Sequence, residues 1–526
     1  MTNFDFRKWN KILGWLVFAI ALITYMCTVE PTASFWDAGE YISTSSKLQV
    51  GHPPGAPLFQ MMGAFFSTFA SDADQVALMV NLVSAFSSAF TILFMFWSIT
   101  LLVRKIAGPE ETLSTSSKIA VLGSALVGSL AFAFTDSFWF SAVEAEVYAM
   151  ASFLMAVLFY AGLLWERDMF KPRGNRWLIL ISFIIGLSFG VHFMALLTIP
   201  AIGFLYFFKN TEKVTVKNFI IANIIVVAIL MFIFKLLLPY SLSFFAVAEV
   251  FFVNSIGLPF NSGTIIAALA LIALFYFGLN YTRKKNYIHA NTLLLCVLFI
   301  FVGFSSWIML PIRANAGTTI NENSPNNARE LLAYYNREQY PETKLFYGPQ
   351  FTDIYGGLDP DEPYIDDKPK YEEDEKTGKY VIVNEWKNAK QNSSAEHKTF
   401  LPRMWSTDHV ANYMRFTGPI NFTILPEYQS EQQLVQTVNE FRRAYNMGKI
   451  SNDDYASFLQ QFAPYIKVEK PSASSNFRYL FEYQIGYMYW RYFMWNFVGR
   501  QDDQQGQYGR LHGNWLSGID FIDEWH

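Results

Sequence analysis

Nine apolar segments crowd into the first 310 residues of this 526-residue chain, and the basic residues that flank them fall almost wholly on one side. A helix that spans a bilayer needs about 20 mainly apolar residues. The candidates are Ile12–Val29, Val76–Val103, Ile119–Phe134, Phe138–Trp165, Trp177–Val191, Phe193–Phe208, Phe219–Leu238, Thr264–Leu279 and Thr292–Leu310. The fifth and sixth are short and nearly fused through Gly190, Val191 and His192. They form either two spans joined by a tight bend or a re-entrant pair. With the N-terminus in the cytoplasm, 16 basic residues fall in the inner segments and one, Lys47, in the short outer loops. That asymmetry sets the orientation. An odd number of spans then puts residues 311–526 outside. The first segment has a basic start but no small-residue cleavage site, so it reads as an uncleaved anchor.

Composition agrees with a chain of two halves. Only 16% of residues are charged, against roughly 25% in an ordinary soluble domain. Residues 1–310 hold 18 Lys/Arg and 15 Asp/Glu, and residues 311–526 hold 22 and 29. Nothing is basic enough to suggest nucleic acid. Two cysteines, Cys27 and Cys296, cannot make a disulfide framework or a metal site. The expected fold is mainly α: a multi-pass transmembrane domain over 1–310, then an α/mixed extracytoplasmic domain over 311–526. In the latter, Asp359–Lys379 reads as an exposed loop and Tyr380–Val383 as a short strand. Glu431–Tyr445 and Asp453–Phe462 read as amphipathic helices. The aromatic run over 476–498 reads as a helix lying against the membrane surface, followed by a Gly-rich polar stretch, Gly499–Gly518.

The first outer loop, 30–75, is the most informative segment. It contains Phe35-Trp36-Asp37-Ala-Gly-Glu40-Tyr41 and then Gly51-His52-Pro-Pro-Gly55-Ala-Pro57. Asp37 and Glu40 are three apart, so a helical turn puts them on one face. Phe35, Trp36 and Tyr41 supply aromatic surface that lowers the local dielectric and can raise a carboxyl pKa toward a general-base value. Gly51–Pro57 reads as a rigid turn presenting His52. The competing reading makes Asp37 a helix cap and His52 a turn residue. Glu144 and Glu146 stand at the outer start of the fourth span, where they are either functional carboxylates or solvated helix-start acids. Three further candidates lie at the same level: Arg313 after the ninth span, Lys235 near the outer end of the seventh, and His192 in the bend. Each could bind a phosphate. Their plainer readings are interfacial anchor, snorkelling lysine and hydrogen-bonded loop histidine.

Walker, dinucleotide-binding, Gly-x-Ser-x-Gly and His-Glu-x-x-His signatures are absent. Carboxylates beside phosphate-binding cations in a membrane suit a transferase with a lipid-phosphate donor. The protein need only bind the phosphate, stabilise its charge and deprotonate an acceptor hydroxyl. A transporter of a lipid-linked solute and a non-catalytic subunit of an envelope secretion or assembly machine are the alternatives.

Phe35-Trp-Asp-Ala-Gly-Glu40, Gly51-His-Pro-Pro-Gly55, Val143-Glu-Ala-Glu-Val-Tyr148, Leu310-Pro-Ile-Arg-Ala314, Asn321-Glu-Asn-Ser-Pro325, Gly499-Arg-Gln and Gly513-Asn-Trp515 together make the chain resemble the domain of unknown function 2723 family of multi-pass proteins. That family is similar to type-C glycosyltransferases and includes a protein O-mannosyltransferase. The resemblance implies an inverting transfer of a sugar, mannose, from a polyprenyl-phosphate donor to protein Ser/Thr or another envelope acceptor, at the periplasmic face of a bacterial inner membrane. It puts Asp37, with Glu40 close by, at the catalytic position. On the residue reading, donor phosphate binding is expected at Arg313, His52, Lys235 and His192, with orienting Asp37 as the other role open to His52, and the acceptor surroundings at Glu144, Glu146, Trp36, Tyr41 and Tyr148. No cofactor and no metal ligand set is assigned, and divalent-metal use is left open. Many family members are longer, so the chain is expected to be a shortened form or a fragment.

Overall fold

The computed structural model describes residues 4–342, 344–501 and 513–524. Most of Gly499–Gly518 and the terminal Trp525 and His526 lie outside them. The described chain divides into two compact units, Met1–Tyr340 with Glu373–Tyr380, and Pro341–Glu372 with Val381–His526. The first unit thus continues past Leu310, where hydropathy alone sets the division. The polar residues 318–340 are drawn in by hydrogen bonds and by two buried tyrosines, Tyr334 and Tyr335.

The first unit is helical. Its elements are α1 (Phe6–Thr28), α2 (Ala38–Ser46), α3 (Pro57–Ser67), α4 (Val76–Ala107), α5 (Thr115–Ala133), α6 (Asp136–Ala142), α7 (Val147–Asp168), α8 (Arg176–Ser188), α9 (Thr198–Asn210), α10 (Val216–Met231), α11 (Leu238–Asn254), α12 (Ser262–Lys284), α13 (Ile288–Phe304), α14 (Met309–Ala314) and α15 (Ala328–Tyr335). Among the described residues, eight helical runs are long and apolar enough to cross a membrane, and α8 is a shorter apolar helix. The unit is a multi-pass membrane domain.

Three segments differ from the sequence expectation. The fourth span, Phe138–Trp165, is two helices broken at Val143–Glu146. No Pro or Gly causes the break. The Glu30 N–H donates to the Val143 carbonyl at 2.9 Å, and Ser84 Oγ donates to the Glu146 carbonyl at 3.4 Å. These partners satisfy backbone groups that a continuous helix would have bonded itself. The fifth segment is the 13-residue α8, about 20 Å long. It packs on α13 through Gly186 and Gly303, where an added Cβ would meet the facing backbone oxygen at 2.1 and 2.3 Å. Small residues at such a crossing let helix backbones approach closely. The seventh span does not end near Leu238. A π-helical turn, Phe232–Leu237, carries α10 straight into α11. Lys235 therefore sits inside a continuous helical run, with its ammonium 4.8 Å from the Phe234 ring centre.

One apolar core of this unit gathers Phe59, Val80, Leu158, Phe189, Leu238, Trp307 and Tyr334. A second joins α1, α4 and α5 around Val17, Ala21, Ile92, Phe96 and Leu122. At the far end of α11, the buried Glu249 accepts from the Asn261 and Thr264 N–H groups at 2.6 and 2.7 Å and so caps α12.

The second unit is mixed. Two-residue to four-residue strands pair as β1 (Tyr347–Pro349) with β6 (Lys398–Phe400), β2 (Tyr364–Ile365) with β5 (Lys390–Gln391), β7 (Phe422–Ile424) with β8 (Ile466–Val468), and β9 (Gly499–Arg500) with β10 (Trp515–Leu516), while β3 (Tyr371–Asp374) and β4 (Lys379–Ile382) form a hairpin whose tip, Glu373–Tyr380, belongs to the first unit. The expected loop 359–379 therefore contains β2 and β3. β3 folds back on β4, the strand expected over Tyr380–Val383, whereas β2 pairs with β5, which lies beyond both and which local composition does not reveal. Helices α16 (Val410–Thr417), α17 (Gln432–Asn446), α18 (Asn452–Gln461) and α19 (Ala473–Arg478) surround a core of Phe351, Met404, Tyr413, Phe422, Leu459 and Tyr479. The aromatic run is helical from α19 through Met494. Tyr479 is buried in the unit's own core, whereas Phe481, Tyr489 and Trp490 are exposed.

Candidate active site

The first loop folds over the N-terminal ends of α4 and α7. Asn81, fully buried in α4, donates through its side-chain amide to the carbonyls of Glu30 at 2.6 Å and Thr32 at 2.9 Å. Ser34 Oγ donates to Glu144 Oε2 at 2.6 Å. These bonds fix the strand that leads into Asp37. Replacing Asn81 by Leu keeps the volume but leaves two backbone carbonyls without a donor. The expected cost is about 1–3 kcal/mol, read by denaturant unfolding of the full chain in detergent.

Asp37 precedes α2, and the Tyr41 N–H bonds to its carbonyl at 2.9 Å. Its side chain makes no cap hydrogen bond and is 57% exposed. The helix-cap reading of this carboxylate therefore fails. Glu40, one turn on, reaches back across the loop to the Gly51-His52 turn. The His52 backbone N–H donates to Glu40 Oε1 at 2.6 Å, and the His52 Nδ1 lies 2.9 Å from Oε2. The other ring nitrogen, Nε2, stands 3.8 Å from Asp37 Oδ2. One imidazole thus bridges the two carboxylates, and Tyr41 lies against it with ring centres 5.9 Å apart.

The turn that presents His52 is held from below. Gly51 leaves room for Glu40, since an added Cβ would stand 2.6 Å from Glu40 Oε1 and displace that carboxylate. The Gly55 N–H closes the turn on the His52 carbonyl at 2.8 Å. The Tyr334 hydroxyl donates to the Gly51 carbonyl at 2.6 Å. Val50 and Asn321 form a parallel bridge, which brings Glu322 into the electrostatic surroundings of Glu40 and His52. Arg313 Nε and NH2 donate to the carbonyls of Leu48 and Lys47 at 2.6 and 3.1 Å. Its guanidinium is a strut under the loop.

The charges differ from the sequence expectation. Phe35 and Trp36 are 78% and 86% exposed, so they do not wall off Asp37 and Glu40. Trp36 has φ of 60°, a strained conformation for a bulky residue. Burial pushes the Glu40 carboxyl up, but the His52 hydrogen bonds and charge bring it below its ordinary value. The Glu40 hydrogen bond raises the His52 pKa against the effect of burial, and the charges of Glu40 and Asp37 add to the rise. The carboxyl that is raised is Glu146. Burial, then the charges of Asp37 and Glu144, push it up to about 7, although the Val147 and Asp37 N–H groups oppose this. Glu144 is also raised, chiefly by burial.

This has a consequence for stability. Between pH 4.5 and about 7 the folded state holds a proton on Glu146 that the unfolded chain has released. Stability therefore falls as pH rises through that window. His52 acts in the same direction at higher pH, since a raised histidine pKa stabilises the fold below 6.5 and the effect is lost as pH rises through the folded value. Glu40 is opposite, and its contribution is lost only when pH falls below 4.5. Glu146→Gln should flatten the decline in melting temperature between pH 5 and 7.5.

His192 belongs to the margin of the site as a neutral group. Its Nδ1 accepts the Met194 N–H at 3.1 Å, and burial lowers its pKa. Both features favour the neutral ring. Its ring lies 5.2 Å from that of Tyr148. The structure thus brings together Asp37, Glu40, His52, Tyr41 and Glu146, with Tyr148 and Glu144 beside them. Arg313 is engaged by backbone, and Lys235 lies on its own helix. Sequence reasoning did not single out Asn81 and Tyr334, and it touched Glu322 only within the Asn321–Pro325 motif.

One ligand atom each from Asp37, Glu40 and His52 lies within 4.8 Å of the others, a spacing that could hold a metal ion. A metal would need neutral imidazole and would compete with the proton that Glu40 favours on His52.

Residues 37–215 match the family model described as the protein O-mannosyl-transferase TMEM260 N-terminal domain. Residues 341–481 match a family of unknown function, DUF8416. A curated relative, the protein O-mannosyl-transferase tmem260 of Dictyostelium discoideum, is 26% identical over 210 residues, which cover 38% of this chain and 24% of the relative. No solved structure matches. The segment that begins at Asp37 and includes Glu40, His52, Glu146 and His192 is similar to protein O-mannosyl-transferases of the TMEM260 type.

Proposed function

We propose that the chain is a type-C, inverting membrane glycosyltransferase that moves a sugar, mannose, from a polyprenyl-phosphate donor to a protein Ser/Thr hydroxyl. The observation that carries this reading is Asp37: a half-exposed carboxylate, not used as a helix cap, facing a histidine fixed by Glu40. In the proposed step Asp37 takes the acceptor hydroxyl proton. The oxygen attacks the anomeric carbon, the bond from that carbon to the phosphate oxygen breaks, and its electron pair leaves on the phosphate. Protonated His52 meets the growing phosphate charge. Glu40 orients His52. Arg313 acts through the Lys47–Leu48 backbone, and Trp36 and Tyr148 face the acceptor.

The basic asymmetry supports a cytoplasmic N-terminus and an outer, periplasmic site in a bacterial inner membrane. An impermeant thiol reagent added from outside should label a cysteine placed at Asp366 and spare one placed at Asn210. The reverse pattern contradicts the orientation. For the activity, purified chain given a synthetic polyprenyl-phosphate mannose and a Ser/Thr peptide should release polyprenyl phosphate in step with hexose gained by the peptide. No turnover with any polyprenyl-phosphate sugar would overturn the reading.

A further inference from the structure

The first unit holds a second built feature, at the other end of α7. Glu146 precedes that helix and Trp165 lies near its far end, about 28 Å away at the helical rise. There a cavity of about 490 Å³ opens between α7, α8, α9 and α10. Its walls run along α10 from Asn218 to Ile229 and on to Ile233, about 22 Å of helix, more than half the ~30 Å hydrocarbon core. Most of the lining is apolar. Asn210, Thr211 and Asn218 make one end polar.

Two further observations point to an occupant. Trp165 lines the cavity, is 7% exposed, and its indole N–H has no hydrogen-bond partner. A buried donor left unmade is costly; the nitrogen is closed off from the open space of the cavity, so an acceptor there would relieve it once the ring turns toward it. The polar end is also basic. Lys217 lies one helical turn before the lining residue Ile221, and the Lys213 carbonyl accepts from the Asn218 amide at 2.9 Å. Both lysines are exposed. The acids nearby are Glu212, Glu166 and Asp168; Glu166 is paired with Lys105 and Lys209, and Asp168 with Arg167 and Lys171.

We propose that this slot binds one anionic glycerophospholipid from the leaflet at the lysine-bearing end. An acyl chain lies along α10, an ester carbonyl accepts the Trp165 N–H, and the phosphate faces Lys213 and Lys217. The site is separate from the one at Asp37 and does not depend on the reaction proposed there.

Native mass spectrometry of the delipidated full chain in detergent tests this, with phosphatidylglycerol and phosphatidylcholine of matched chains as probes. The expected result is a one-to-one adduct that favours phosphatidylglycerol by about tenfold, from two lysines near the headgroup. Lys213→Gln with Lys217→Gln should erase the preference. Trp165→Phe, which keeps the ring and removes the N–H, should weaken both lipids about fivefold. Ala222→Phe should fill the slot and abolish the adduct. Where Ala222→Phe does not fold, Trp165→Phe decides. Equal retention of the two lipids, an adduct indifferent to Trp165→Phe, or preferential capture of polyprenyl phosphate would overturn the proposal.

Discussion

Asp37→Asn should lower sugar transfer by about 10²–10⁴-fold, the usual contribution of a general base, with melting temperature unchanged. The amide keeps the shape of the carboxylate and removes its basicity. Folding should be untouched because the Asp37 side chain is 57% exposed and caps nothing. The loss should appear in kcat more than in the donor KM, since the carboxylate meets its proton only as the acceptor attacks. Transfer at the wild-type rate would return Asp37 to an ordinary loop position and favour a non-catalytic subunit.

Gly51→Ala should cost about 100-fold, although residue 51 touches no substrate in the proposed reaction. Its new methyl would stand 2.6 Å from Glu40 Oε1, the oxygen that accepts the His52 N–H. Glu40 must then move, and with it the ring that bridges to Asp37. A misplacement near 1 Å can cost about that much rate. Glu40→Gln separates the steric from the electrostatic part. It leaves room at Gly51 but no longer holds a proton on His52, so its pH–rate profile should lose the limb set by the raised histidine. An unchanged profile would mean that His52 is only a turn residue.

The apolar segments were legible because a bilayer demands long runs of one kind of residue, and no tertiary contact can substitute for them. All nine have helical counterparts, although α8 is short. The break at Val143–Glu146 was not legible. The residues there are good helix formers, and the groups that satisfy the broken backbone, Glu30 and Ser84, lie far away in sequence. The site shows the same division. Asp37, Glu40 and His52 stand out as unusual residues in the loop between the first two apolar segments, and Gly51 with three prolines announces a fixed turn. Their pairing depends on how that turn folds back on α2. The helical spacing of Asp37 and Glu40 suggested two carboxylates under one aromatic cover, whereas the folded loop exposes Trp36 and moves the raised pKa to Glu146. Arg313 was legible as a cation at the right height, but its engagement with the Lys47 and Leu48 carbonyls was not. Asn81 and Tyr334 look like ordinary residues of apolar or amphipathic helices, and only their partners in the loop give them significance.

The configuration of the transferred sugar tests the central claim most directly. A single base at Asp37, with the phosphate leaving from the opposite face, gives one displacement at the anomeric carbon. The glycopeptide made by the wild-type chain from a polyprenyl-phosphate mannose of defined anomeric configuration, assigned by NMR, should carry the opposite configuration, and Asp37→Asn should yield too little product to assign. Retained configuration would mean a covalent sugar on the enzyme, with Asp37 or a neighbour as nucleophile, and would contradict the account.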